Sequence, residues 1–166
     1  MESSISIANF FIEKASKEKV SLTPLKLIKL VYLAHAWYLA LEDGDGLIPE
    51  KVEAWKYGPV VPSIYHTFKH YGNSSITRLE YDIFSDKKKL PTDEDTISFL
   101  NRIWDVYSPY SGLQLSAMTH VHGSPWDKVW NVGGGKSNLA VPIPNDFIKD
   151  YYKEKAEKNT RADAGR

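Results

Sequence analysis

The chain contains no cysteine, which removes disulfides, thiolate nucleophiles and Cys-ligated zinc together. It has no surplus of charge either: Lys and Arg total 21, Asp and Glu total 21, and the formal net charge is zero with histidines neutral. The balance is even along its length, with 9 basic and 10 acidic side chains in residues 1–83 and 12 and 11 in residues 84–166. No nucleic-acid partner is expected, because phosphate neutralisation supplies most of such binding and needs a basic excess or stripe. No apolar run approaches the roughly 18 residues that would span a bilayer, so no membrane is expected. The opening Met-Glu-Ser-Ser-Ile-Ser has no basic region followed by an apolar core; it does not read as a secretion signal, and the chain reads as cytoplasmic. What is plentiful is aromatic: 13% of residues, with five Trp, ten Tyr and six Phe. Rings without a basic surplus suit an aromatic core and, where exposed, a protein-binding surface.

The apolar periodicity is helical for most of the chain. Ile7, Phe10, Phe11 and Ala15 mark a helix from Ser4 to about Lys19, with Ser4 or Ser6 as its cap. Thr23 and Pro24 form an N-cap followed by Pro at the first helical position, where its missing N–H costs nothing. Leu27, Leu30, Val31, Ala34, Trp37, Tyr38 and Leu41 then make a long stripe that Leu25, Ile28 and Leu33 widen almost all round, so this helix belongs at the centre of the core. Gly44 and Gly46 end it. Val52 to Tyr57 read as a short strand broken at Gly58-Pro59. Ser63 is the expected cap of a helix through Ile64, Tyr65, Phe68 and Tyr71, closed by Gly72. Residues 73–91 are polar and turn-like, with Lys87-Lys88-Lys89 a solvated loop. Further helices start at Thr92-Asp93-Glu94-Asp95, Ser111, Ser124-Pro125 and Asn145, with Gly133-Gly134-Gly135 a flexible break between the last two. The expected fold is mainly α: a compact single-domain helical bundle with at most a small β-hairpin near residues 47–62. Residues 1–158 form the domain and 159–166, with nothing to bury, a flexible C-terminal tail.

The motifs that carry chemistry are each incomplete. His66 and His70 are four apart on an expected helix and could share one ion, but a zinc peptidase needs Glu between them and position 67 is Thr. His120 and His122 are two apart and point to different helix faces; His35 and Asp127 are the distant candidates for a third ligand. Gly133 to Ser137 reads like the end of a phosphate-binding loop, yet the required earlier Gly would fall at Trp130, and no strand precedes it. Ser116 near His120 and Ser124 near His122 lack a nucleophile elbow. No catalytic, cofactor-binding or metal residue is therefore expected. The densest motif is Trp55-Lys56-Tyr57-Gly58-Pro59-Val60-Val61-Pro62, in which Pro59 holds Gly58 extended. So rigid a turn either packs Trp55 into the core or presents Trp55 and Tyr57 with little entropy to lose.

Four segments together resemble one family. Thr23-Pro24-Leu25-Lys26-Leu27-Ile28-Lys29-Leu30-Val31-Tyr32-Leu33-Ala34-His35 is similar to the helix of the Panacea domain, the antitoxin domain of bacterial and phage toxin–antitoxin systems. The segment from Trp55 to Tyr65 resembles its Trp-x-x-Gly-Pro-Val hallmark. Leu115-Ser116-x-x-Thr119-His120 with Ser124-Pro125-Trp126 resembles its third segment, and Ile143 through Tyr152 its closing helix. The resemblance spans residues 5–152 in the family's order. It implies a helical domain, with no enzymatic activity, that neutralises a cognate toxin encoded next to it by direct protein–protein binding. An alternative within the family is an adaptor that delivers the toxin to a cytosolic protease. A third reading, independent of the resemblance, is a metal hydrolase using His66 and His70. The expected toxin-binding residues are the exposed members of the Gly-Pro turn and the following helix: Trp55, Tyr57, Val60, Tyr65 and Lys69. His120 and Trp126 are expected to hold the fold.

Overall fold

The computed structural model describes residues 1–43, 45–80 and 89–165. Its first helix, α1 (Ser4–Glu18), begins one residue earlier than a Ser4 cap implies: neither Ser4 nor Ser6 is the cap, which is Ser3, whose hydroxyl accepts from Ser6 N–H. Helix α2 (Pro24–Leu41) starts as expected, with Thr23 accepting from Lys26 N–H and Pro24 in the first turn. A strand β1 (Glu53–Trp55) turns through Lys56-Tyr57 into β2 (Gly58–Val60). Helix α3 (Pro62–Phe68) follows, with its N-cap at Val61 and Pro62 inside the first turn. Ser63 is thus not the cap. Pro62, which loses no hydrogen bond at the first helical position, starts the helix there and leaves Val61 at the cap position. A 3-10 turn, Lys69–Tyr71, ends at Gly72 as expected.

Helix α4 (Glu94–Tyr107) is capped by Asp93. Helix α5 (Gly112–Thr119) has a reciprocal capping box of Ser111 and Gln114. The short α6 (Pro125–Asp127), capped by Ser124, runs into a π-helical turn at Lys128–Val132. Strand β3 (Val141–Pro142) and helix α7 (Asn145–Ala164) complete the chain. Asn145 does not cap α7; Pro144 stands at the cap position, and the Asn145 amide oxygen lies 3.2 Å from Nε2 of His35. Residues 159–164, read from composition as tail, are the exposed last turns of α7. Lys87 and Lys88 of the expected lysine loop, and Gly44, lie outside the described residues.

The expectation of a mainly helical fold with a small β element holds. The hairpin gains a third strand, giving an antiparallel sheet ordered β2-β1-β3, with Ala54 opposite both Pro59 and Val141. Both prolines of the sheet, Pro59 and Pro142, sit on edge strands, where a missing N–H breaks no ladder.

Helix α2 is the centre, as its all-round apolar pattern requires: it touches α1, α3, α4, α5, α7 and β2. Fourteen of its eighteen residues are buried, including Lys26, Lys29 and His35. A buried polar group needs a partner, and each of these has one in a different element. Lys26 Nζ donates to Ser108 O (2.6 Å) at the end of α4, and Lys29 Nζ to Pro59 O (2.9 Å) in β2. Tyr32 packs its ring edge-on to Tyr152 of α7, and His35 meets Asn145 at the start of that helix. Positions 26, 29, 32 and 35 are three apart. Each step falls about 60° short of a full helical turn, so the seam winds around α2 and reaches the end of α4, then β2, then α7 at both Tyr32 and His35. Outside this seam, buried Asn9 of α1 binds both flanks of the 81–88 segment: its amide N–H groups donate to Glu80 O (2.7 Å) and Lys89 O (2.8 Å), and its oxygen accepts from Glu80 N–H (2.8 Å).

Burial pushes the Lys29 ammonium down from 10.5 to about 7, and the same desolvation raises the hydroxyls of Tyr32 and Tyr152. Between pH 7 and 10 the unfolded chain therefore binds a proton at Lys29 that the folded chain does not, and stability rises with pH. The slope is at most about 1.4 kcal/mol per pH unit. Above pH 10 the buried tyrosines reverse it, because the unfolded state ionises them first. Urea midpoints measured at pH 7.5 and 9.5 are expected to show the rise, and Lys29→Met to flatten most of it. Gly58 adds a steric constraint at the same point. Its φ is +112°, and a Cβ there would lie 2.6 Å from Lys29 Nζ. Gly58→Ala is expected to cost about 1–3 kcal/mol of unfolding free energy in the same denaturation experiment.

Candidate protein-binding surface

The hairpin turn offers its carbonyls inward, and side chains from three helices take them. Trp126 Nε1–H donates to Trp55 O (2.7 Å), Ser116 Oγ–H to Tyr57 O (2.9 Å) and Lys29 Nζ to Pro59 O (2.9 Å). His120 completes the set: Nδ1 lies 2.6 Å from Ser116 O and Nε2 lies 3.3 Å from Lys56 O. The His120 ring also packs edge-on to Trp126, with centroids 4.4 Å apart. Thus the two segments that looked motif-like in the sequence, around Gly58-Pro59 and around Thr119-His120 to Trp126, are the two halves of one fastening. Trp126 is 6% exposed, in keeping with a role inside the fold. Lys29 was not singled out by residue chemistry, and Ser116 was weighed only as a nucleophile beside His120. The available signal for Lys29 was a lysine within a helix apolar on every side.

With its backbone held this way, the turn sends other side chains outward. Trp55, half-buried, lies edge-on to Tyr65 of α3 with centroids 4.8 Å apart, and its indole N–H donates to Glu53 (2.8 Å). His66 joins the same group, 5.2 Å from Tyr65 and 6.3 Å from Trp55. Lys69 places its ammonium 5.9 Å over the Tyr65 ring, and Lys56 does the same 5.5 Å over Tyr57. Tyr57 is 66% exposed at the tip of the turn. Four of the five expected residues therefore lie at the surface, with Trp55, Tyr65 and Lys69 in one continuous ridge and Tyr57 beside it on the turn. Val60 is a correction. It is 6% exposed, because β2 rests on α2 and alternate placement cannot turn a residue outward on a strand covered on that side.

The other sequence candidates fall elsewhere. Among the described residues, no three His, Asp or Glu side chains gather where a metal ion would sit. His70 stacks on Tyr71 instead (4.4 Å), and His35 is buried in the α2 seam. The Asp127 carboxylate accepts from Asn131 (2.7 Å) and Gly123 N–H (2.9 Å); those two bonds hold it below the usual carboxylate range. Exposed His122 stands 3.4 Å from it. Gly133 to Ser137 follows the π-helical turn rather than a strand; a Cβ on Gly135 would lie 2.6 Å from Val129 O, whereas one on Gly134 would meet nothing and that residue supplies a φ of +70°. No described helix is long and apolar enough to cross a membrane. The fastening can be tested through Trp126→Phe, which keeps the ring but leaves the Trp55 carbonyl without its donor. We expect a loss of about 1–3 kcal/mol in urea unfolding.

Comparison with known proteins bears on this arrangement. A sequence model of the family described as Antitoxin SocA-like, Panacea domain, matches residues 27–127. The matched stretch contains Lys29, the whole hairpin, α5 and Trp126, which is to say every donor and acceptor of the fastening. The chain is also similar to Antitoxin SocA of Caulobacter vibrioides, with 32% identity over 152 residues that cover 89% of this chain and 80% of that protein. No solved structure matches. With the family match spanning more than half of the sequence, the chain belongs to the SocA-like antitoxins of the Panacea-domain family.

Proposed function

We propose that this protein is a cytoplasmic antitoxin that neutralises a cognate toxin by binding it directly, without catalysing a reaction, and that residues 1–158 are the unit that does so. Membership of an antitoxin family supports a toxin as the partner. The observation that carries the binding mode is the aromatic ridge of Trp55, Tyr65 and Lys69, with Tyr57 beside it on the turn. Trp and Tyr dominate binding hot spots because they bury large area for few rotatable bonds. Here the rings are held by a turn whose carbonyls are already bound, so little freedom is lost on docking. Val60, buried in the core, is not part of this surface.

Co-expression with the product of the neighbouring gene tests the proposal. That product is expected to arrest growth alone, and this protein to restore it. Tyr57→Ala/Tyr65→Ala should remain folded by circular dichroism and lose rescue, with affinity for the purified toxin falling at least about 30-fold, the equivalent of about 2 kcal/mol. Rescue at the wild-type level by that folded variant would move the binding site off the ridge. Absence of any toxic neighbour would remove the function itself.

A further inference from the structure

The zero net charge conceals a separation. Residues 54–79 contain no Asp or Glu, although the chain has 21 of them, and carry Lys56, Lys69, Arg78, His66 and His70. These residues form β2, α3 and most of β1, which pack on α2 around Lys29. The acids gather at the other end of that helix. A shallow groove there is lined by Tyr38, Glu42, Asp93, Asp95 and Arg102, and Glu42, Asp93, Asp45 and Asp95 all bear electrostatically on the Tyr38 hydroxyl. From Lys29 to Glu42 the helix rises about 20 Å, well beyond the distance over which solvent and salt screen exposed charges. On the ridge itself one carboxylate is near, Glu53, and it is occupied by the Trp55 indole N–H. Lys56 and Lys69 are each laid over a tyrosine ring, and among the described residues neither has a carboxylate within salt-bridge distance.

We propose that the ridge recognises an acidic segment of the partner protein, its carboxylates meeting Lys56 and Lys69 while neighbouring apolar atoms pack on Trp55, Tyr57 and Tyr65. This deepens the antitoxin reading and rests on it: the toxin's contact face carries Asp and Glu. Two lysines are enough to pair with a few carboxylates but form no stripe of the kind that tracks a phosphate backbone, so a protein segment fits better than nucleic acid. Such pairing acts chiefly on the encounter rate and on partner choice, and it weakens with salt.

The test measures binding of the purified neighbouring-gene toxin to the full-length protein by surface plasmon resonance at 50 and 500 mM NaCl. Wild-type affinity is expected to fall at least tenfold at the higher salt, mostly through the association rate. Lys56→Glu/Lys69→Glu should lose at least a hundredfold at 50 mM, Lys56→Gln/Lys69→Gln about tenfold, and Lys136→Glu, on an exposed turn elsewhere, less than twofold. Reversing one or two acids of the toxin to Lys should restore binding to Lys56→Glu/Lys69→Glu, which a merely misfolded variant could not do. If that folded double variant binds within threefold of wild type at 50 mM, the acidic-segment proposal is overturned while toxin binding stands. If wild type does not bind the toxin at all, the antitoxin reading falls and takes this proposal with it. Competition by a 20-nucleotide single-stranded RNA at equal concentration would reassign the surface to nucleic acid and likewise overturn it.

Discussion

Burying a polar group calls for a directional partner, and on the central helix α2 that requirement falls on Lys26, Lys29 and His35. An apolar α2 would pack against its neighbours in many registers, since hydrophobic contact is non-directional. Lys26, Lys29 and His35 remove that freedom, because each must find one acceptor or donor: the end of α4, the β2 carbonyl at Pro59, and Asn145 at the start of α7. The three-residue spacing sends them to different sides of the helix. The elements that surround α2 are thus positioned by directional bonds inside a core whose bulk stability comes from area. Desolvation of Lys29 is the cost of this device, seen in its lowered ammonium pKa. The neutral amine that burial favours still donates to Pro59 O.

The Gly-Pro turn shows the same logic at the scale of a few atoms. Gly58 is needed because its backbone φ is +112° and because Lys29 Nζ occupies the space a Cβ would fill. Pro59 gives up an N–H that β2, as an edge strand, has no use for, and its carbonyl receives Lys29. Trp55 contributes in two directions: its carbonyl goes to Trp126, and its ring goes to Tyr65. The question of whether this tryptophan serves the core or the surface has a divided answer, with backbone for the core and indole for the ridge.

Local signals were legible where a residue's effect is confined to its own turn of chain. Thr23-Pro24, Ser111, Ser124-Pro125 and Gly72 all act where their chemistry places them. At Ser3 the one-residue error comes from a run of adjacent serines that could each cap; at Val61 and Pro144 no side chain caps at all, because Pro62 starts α3 and the Asn145 side chain is taken by His35. What sequence could not supply is pairing across distance. Val141-Pro142 is too short to read as a strand and becomes one only because β1 has a free edge. The exposure of Val60 was misjudged for the same reason, since it depends on α2 lying beneath. The ridge was half legible: Trp55, Tyr65 and Lys69 were expected at the surface, but the place of His66 beside the Trp55–Tyr65 pair depends on the packing of α3 against the hairpin.

These two layers are separable by mutation because they use different atoms of the same residues. The inner layer is made of carbonyl oxygens at 55, 57 and 59, which no side-chain truncation at 57 removes. The outer layer is made of rings and ammonium groups that take no part in fastening the turn. Loss of a donor such as Trp126 or Lys29 acts on folding first and on binding only through the shape of the turn. Truncation of Tyr57 or Tyr65 leaves every one of those hydrogen bonds in place. A surface of this construction can change its partner by substituting exposed side chains while the buried donors stay fixed. Under the proposed binding mode, partner choice would fall to exposed Lys56, Tyr57, Tyr65 and Lys69, while Phe68, between the last two, is fixed by its place in the core.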